Sequence, residues 1–143
     1  MAQSIPPDLV NDSNAPVLAY IKDLSAHSDI ADALTTSVEF CGDVQTFCPD
    51  PIHYRYVVVS TKGIIFGLAV GMKMIAYRLD TRMKSRAIVT GATPFSECGD
   101  DWALFTLWQD ADWPKVDLPF WALKAYVYAR ETGTNTVHRD KQG

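Results

Sequence analysis

The sequence has few residues of the kinds that build catalytic or metal sites. Its 143 residues include only three histidines and three cysteines. It contains neither a Gly-x-Ser-x-Gly elbow nor a His-Glu-x-x-His motif. Gly63, Gly67 and Gly71 recur every four residues, a spacing that fits neither a dinucleotide-binding loop nor a P-loop. We therefore expect a non-enzymatic protein with no catalytic residue, no metal and no cofactor.

Long apolar runs are also lacking. The longest stretch without a charged or strongly polar residue, Gly63–Met72, is about half of the ~20 residues that cross a bilayer. The first ten residues have no basic region followed by an apolar core, so they do not resemble a signal peptide. An odd number of cysteines cannot all pair within one chain. These features predict a cytoplasmic protein with reduced thiols and no membrane contact.

Basic residues are scarce in the N-terminal third. Residues 1–53 contain eight acids against the single base Lys22, whereas residues 54–143 contain twelve bases and nine acids. The net charge of −4 argues against nucleic acid and anionic membranes as partners. We interpret the asymmetry as an acidic helical face beside a mildly basic sheet. The functional alternative is a basic surface for an acidic partner.

The apolar pattern predicts one α+β domain over residues 15–133, between a flexible arm (1–14) and a flexible tail (134–143). Asn14 is expected to cap a first helix, and residues 42–53 are expected to form a loop. Aromatic and β-branched residues then predict a three-stranded antiparallel meander over Tyr54–Leu79. Its turns are expected at 60–63 and 71–73.

The C-terminal half is expected to complete and cover this sheet. Asp80 should cap a helix over 81–90, and Trp102–Trp108 should form a strand. Residues 94–101 are predicted to be irregular or a short edge strand. The fold class is therefore an antiparallel sheet of about five strands packed against N-terminal and C-terminal helices.

The terminal helix is expected to begin at an Asp117 cap and to end at residues 131–133. Phe120, Leu123 and Val127 recur at helical spacing, which predicts that they line its buried face.

Two groups of residues have the chemistry of metal ligands. Carboxylates that flank the 102–108 strand suggest a metal-dependent hydrolase; they are Glu97, Asp100, Asp101, Asp110 and Asp112. Soft ligands lie in the 42–53 region and beyond; they are Cys41, Cys48, His53 and Cys98. Their spacing lacks the tight pairs of structural zinc sites, and loop acids are common on soluble domains. We expect no metal at either group.

A basic group set around Asp80 is the most distinctive local feature. It consists of Lys73, Arg78, Arg82, Lys84 and Arg86, and it can bind a phosphate or an acidic peptide. The structural alternative is a solvated strand end and helix face. Trp113 is expected to be partly exposed beside Pro114, where it can touch a partner. The predicted binding residues are Lys73, Arg78, Arg82, Arg86 and Trp113.

Two consecutive segments resemble a bacterial family. Gly63-Ile64-Ile65-Phe66-Gly67-Leu68 and Ile75-Ala76-Tyr77-Arg78-Leu79-Asp80 are similar to adjacent strands of YjbR and TfoX N-terminal domains, and the layout agrees from about Lys62 to Glu131. The resemblance implies a fold similar to type III secretion chaperones. It carries over no catalytic residue. The similarity to TfoX N-terminal domains implies a regulatory, protein-contacting role.

The sequence thus predicts a small non-enzymatic binding or regulatory module that contacts a protein or a small acidic ligand. The first alternative is a secretion-chaperone-like homodimer that adds an extended peptide to a sheet edge. The second is the metal-dependent hydrolase that uses the carboxylates of residues 97–112.

Overall fold

The computed structural model describes residues 6–21, 28–48, 57–71, 74–106 and 117–142. In chain order the helices and strands are α1 (Ala15–Tyr20), α2 (Ser28–Ser37), β1 (Gln45–Phe47), β2 (Val58–Thr61), β3 (Ile64–Val70), β4 (Met74–Arg78), α3 (Thr81–Val89), β5 (Thr93–Pro94), β6 (Trp102–Thr106) and α4 (Leu118–Gln142). A single 3₁₀ turn, Pro7–Leu9, precedes α1. The α+β class is as predicted.

The strands form one antiparallel sheet in the order β1-β2-β3-β4-β6-β5. The predicted meander is β2-β3-β4. The short edge strand β5 shares only Pro94 with the predicted 94–101 region, and residues 95–101 are irregular. The described residues contain six strands where about five were expected. The addition is β1, which lies in a segment predicted to be loop. It has only three residues and depends on pairing with β2, so little in its local sequence marks it.

The β2–β3 hairpin has a tighter turn than the sequence predicts. Ser60 and Thr61 belong to β2, and Thr61 pairs with Ile64. The turn is therefore the two residues Lys62 and Gly63, whose φ angles are 54° and 75°. Positive φ at both positions is the signature of the type I′ turn that matches the twist of paired strands.

A β-bulge interrupts the same hairpin. Val59 pairs with Gly67 while Ser60 pairs with Ile65, so Phe66 is the extra residue. A Cβ on Gly67 would lie 2.5 Å from Cγ2 of Val59, which no side chain tolerates. Gly67 therefore allows a close contact beside a bulge inside the sheet.

Both faces of the sheet are covered, because β3 is buried along its whole length. One face, which we call the helical face, packs Phe66, Tyr77 and Phe105 against α2, α3 and α4. The opposite face packs Leu68, Val70 and Trp102 against Leu9, Val17 and Ile21 of the N-terminal segment. The chain thus folds in three layers, with the sheet in the middle.

Residues 6–14 are part of the folded domain, which corrects their prediction as a flexible arm. Leu9 is 2% exposed, and a buried asparagine holds the segment to the β2–β3 hairpin. The side chain of Asn14 donates to the carbonyls of Leu9 (2.8 Å) and Gly63 (2.9 Å) and accepts from the N–H of Ile65 (3.0 Å). Asn14 does precede α1, yet its side chain makes no capping bond, because it bonds across the fold instead.

The buried face of α4 also differs from the prediction. Trp121, Ala122, Ala125 and Ala129 face the core, whereas Leu123 and Val127 are 39% and 44% exposed. Only Phe120, which is half-buried, keeps part of its predicted role. Small residues occupy the contact positions because they let the helix approach the sheet closely.

The helix α4 continues to Gln142 rather than ending at residues 131–133, so the predicted tail is helical up to that residue. Gly133 lies at the predicted end of the helix. It is buried, and a Cβ there would lie 2.6 Å from Cβ of Lys62. The glycine allows the helix to cross the β2–β3 turn at close range.

Two predicted helix caps are confirmed. Oδ1 of Asp80 accepts from the N–H of Met83 at 2.8 Å, and Oδ1 of Asp117 accepts from the N–H of Phe120 at 3.3 Å. Gly91 follows α3 with a φ of 119°, a conformation that favours glycine. These caps fix where α3 and α4 begin.

Across the described ranges, no helix combines the length and apolarity that crossing a membrane demands.

Candidate functional site

The predicted basic group divides into a buried part and an exposed part. Lys73 and Trp113 lie outside the described residues. Arg78, the last residue of β4, is only 9% exposed. Arg82 and Arg86 lie on α3 and are exposed. The sequence therefore placed together residues whose environments differ completely.

Arg78 is engaged inside the protein. Its Nε donates to Oδ2 of Asp101 at 2.7 Å, and the hydroxyl of Tyr128 donates to the same oxygen at 3.1 Å. The backbone N–H of Leu79 donates to the carbonyl of Asp101 at 2.7 Å. We call these three side chains (Arg78, Asp101 and Tyr128) the Arg78 cluster. It links the end of β4, the residue before β6 and the middle of α4.

The electrostatics of the Arg78 cluster favour this internal role. Burial, followed by the nearby charge of Asp101, raises the pKa of Tyr128 above its usual value, so the phenol keeps its proton and donates. Nη1 of Arg78 is buried and has no hydrogen-bond partner among the described residues. Since it is also inaccessible to solvent, the cluster is a clamp between elements rather than an open ligand site.

The exposed cations lie on the outer face of α3. Arg82, Arg86 and Val89 have the spacing i, i+4, i+7, which places them on one face of the helix. All three are exposed, and Val89 is 87% exposed. The opposite face of α3 is fixed to the core by Met83 and Ala87. We call Arg82, Arg86 and Val89 the α3 face.

The two arginines of the α3 face differ from the other described cations outside it. Where the side chain is described, which leaves out residues 134–142, each of those has a partner: Lys62 pairs with Asp43, Arg78 with Asp101, Lys84 with the carbonyl of Asp100, Lys124 with the ring of Phe120, and Arg130 with Tyr126. Arg82 and Arg86 make no ion pair with any described residue. Their charges are therefore available to a ligand.

The described members of the predicted carboxylate set, Glu97, Asp100 and Asp101, do not converge on one site. Glu97 and Asp100 are exposed, and Asp101 belongs to the Arg78 cluster. Asp110 and Asp112 lie outside the described residues. Among the residues that the structure describes, no three acids, histidines or cysteines are placed to hold a metal ion.

The cysteines are separated by the sheet. Cys41 and Cys48 pack at the edge of the helical-face core, whereas Cys98 is buried on the opposite face. Burial, with a smaller effect of Glu97, raises the pKa of Cys98 to about 12, so this thiol is protonated and unreactive at neutral pH. His53 lies outside the described residues. The two faces of the sheet keep Cys98 apart from any site that Cys41 and Cys48 share.

The structure reveals two features that the sequence did not indicate. One is the Arg78 cluster, whose members are 23 and 27 residues apart along the chain. The other is the exposed pair Leu123 and Val127 on α4. The excess of small residues at 122, 125, 129 and 133 was the available signal for the true buried face of that helix.

No known protein family, no curated protein and no solved structure matches this chain. The resemblance to YjbR and TfoX N-terminal domains therefore stays a prediction.

Proposed function

We propose that the chain is a non-enzymatic binding module that holds an acidic segment of a protein partner on the α3 face. The observation that carries this proposal is the pair of exposed guanidinium groups of Arg82 and Arg86, which form no ion pair with the residues that the structure describes. Guanidinium groups bind carboxylates through planar, paired hydrogen bonds. Val89 adds an exposed apolar contact on the same face.

The helix α3 is held firmly in the fold, which suits a binding surface. The helix is capped by Asp80 and anchored by Met83 and Ala87, so the two arginines project from a fixed backbone. Residues four apart on a helix have Cβ atoms about 6 Å apart. That distance matches two carboxylates one helical turn apart on a partner, or two alternate acids on an extended strand.

The alternatives receive less support from the described residues. Edge strand β5 has two residues, one of them Pro94, and edge strand β1 has three. Both are short for the addition of an extended peptide. The hydrolase alternative needs converging carboxylates, and Glu97, Asp100 and Asp101 do not converge with one another.

The proposal includes a cytoplasmic location. The free cysteines Cys41, Cys48 and Cys98 support it, because unpaired thiols are typical of a reducing compartment.

A charge-reversal experiment tests the α3 face. Tagged wild-type chain and the R82E/R86E variant are used to capture partners from an extract of the native cells. The control is R139E/K141E, which changes the net charge by the same amount at the far end of the chain. We expect R82E/R86E to weaken capture at least about tenfold, while the control captures like wild type.

Two further measurements make this test specific. A poly-glutamate peptide should displace the captured partner, and a neutral Gly-Ser peptide of equal length should not. The thermal midpoint of R82E/R86E should equal that of wild type, because both side chains are exposed. Undiminished capture by R82E/R86E would show that the α3 face is the wrong surface.

A further inference from the structure

The outer side of α4 carries an exposed apolar ridge. Leu123 and Val127 are 39% and 44% exposed and lie four residues apart, so they form one continuous strip. The core-facing residues Ala125 and Ala129 lie on the opposite side of the helix. Two adjacent, partly exposed aliphatic side chains on an otherwise docked helix offer an apolar contact to a second helix.

Two residues of opposite charge, Lys124 and Glu131, lie beside this ridge. Lys124 and Glu131 are seven residues apart, which is about two helical turns, so both flank the ridge on the same side. Glu131 is exposed and Lys124 is half-exposed, with its Nζ 5.5 Å from the ring centre of Phe120. The cation lies toward the helix N-terminus and the anion toward the C-terminus.

We propose that this ridge binds a second copy of the chain, with the two α4 helices antiparallel about a twofold axis. A twofold axis perpendicular to both helices keeps each flank on its own side while it reverses helix direction. Lys124 of each copy then faces Glu131 of the other, and the ion pair is made twice. Val127 of each copy lies next to the axis, and the Leu123 side chains of the two copies pack on either side of the axis.

A parallel pairing does not produce this match. A twofold axis parallel to the helices brings opposite flanks together, so Lys124 and Glu131 no longer meet. The charge pattern therefore selects the antiparallel arrangement. One helix pair buries less than the ~800 Å² per partner of a standard interface, so we expect a dissociation constant on the order of 10–100 µM.

Sedimentation velocity over a protein concentration series of about 5–500 µM tests the dimer. Wild type should shift from monomer to dimer across this range. L123E/V127E should stay monomeric, because it places four carboxylates on the ridge contact. The control V10E/F40E changes two apolar residues outside α3 and α4 that are more exposed than the ridge residues, and it should dimerise like wild type. Equal thermal midpoints will show that all three proteins fold.

A charge swap tests the antiparallel register. K124E and E131K should each weaken the dimer roughly tenfold, because each turns two attractive pairs into repulsive ones. The double variant K124E/E131K restores opposite charges and should recover wild-type affinity. A monomeric wild type, a dimer that survives L123E/V127E, or a double variant weaker than both single variants would each overturn the proposal. Binding of L123E/V127E to a partner through the α3 face would be unaffected, so the two proposals fail independently.

Discussion

Replacing Asn14 should destabilise the protein strongly. Asn14 has no exposed area, and its three hydrogen bonds join the N-terminal segment to the carbonyl of Gly63 and the N–H of Ile65. Alanine removes all three bonds and leaves the N–H of Ile65 buried without its partner. At about 1 kcal/mol for each bond, the loss is about 3 kcal/mol. That is a large fraction of the 5–15 kcal/mol typical of such a domain.

Urea denaturation followed by circular dichroism measures this loss. With a slope of about 1.5–2 kcal/mol per M, the midpoint should fall by about 1.5–2 M. Asn11→Ala is the matched control. The Asn11 side chain also makes three bonds, because it donates to the carbonyls of Asp8 and Gly63 and accepts from the N–H of Asn14. These bonds are exposed or only partly buried, so water can replace them and we expect a loss of about 1 kcal/mol or less.

The variant Asn14→Asp separates hydrogen bonding from packing. Aspartate has nearly the same shape and can still accept from Ile65. It presents an oxygen to the carbonyls of Leu9 and Gly63, where Asn14 presents its N–H groups, so we expect at least the instability of Asn14→Ala at neutral pH. If Asn14→Asp and Asn14→Ala both unfold within about 0.5 kcal/mol of wild type, then the Asn14 bonds do not hold the segment in place.

Two further predictions concern a glycine and a cysteine. Gly133→Ala should lower the free energy of unfolding by about 1–3 kcal/mol, because the new Cβ overlaps Lys62. The control is Gly42→Ala, which has no atom within 4 Å of the new Cβ. Equal urea midpoints for the two variants would contradict the reasoning. Cys98, which is 2% exposed with a pKa raised to about 12, should resist a thiol reagent at pH 8 until the protein unfolds. Mass spectrometry of the labelled peptides measures this, and labelling of Cys98 in the native state as fast as of Cys41 would show that the site opens.

Features with a local physical cause were predictable. Asp80 and Asp117 cap their helices because an aspartate before a helix satisfies an adjacent N–H whatever surrounds it. The hairpin at Lys62-Gly63 was expected from the glycine, although its two-residue length was not. The residues of β3 are apolar on both faces, which agrees with the burial of the strand along its whole length.

Features with a long-range cause were not predictable. Asparagine is a common helix-capping residue. Asn14 bonds to Gly63 and Ile65 instead, because the fold brings them close to its side chain. The α4 face was assigned to large residues, since burial of Leu and Val normally contributes most to stability. Close packing of a helix on a sheet selects small residues instead, so the alanines are inside and Leu123 and Val127 are outside.

The candidate site shows the same division. Sequence alone located a basic group around Asp80, because clustered charge is visible without coordinates. It could not separate Arg78, which pairs internally with Asp101 and Tyr128, from Arg82 and Arg86, which face solvent. The difference depends on a strand end, a loop and a distant helix meeting at one point.

By itself, the sequence determined the α+β class, the β2-β3-β4 meander and the residues at which the capped helices α3 and α4 begin, since these follow from hydrogen bonds and side-chain preferences within a few residues. Tertiary structure alone decided which side of α4 is buried, that residues 6–14 belong to the core, and which arginines remain free. Those outcomes depend on steric fit and charge pairing between segments far apart in the chain, which side-chain preferences within a few residues do not determine.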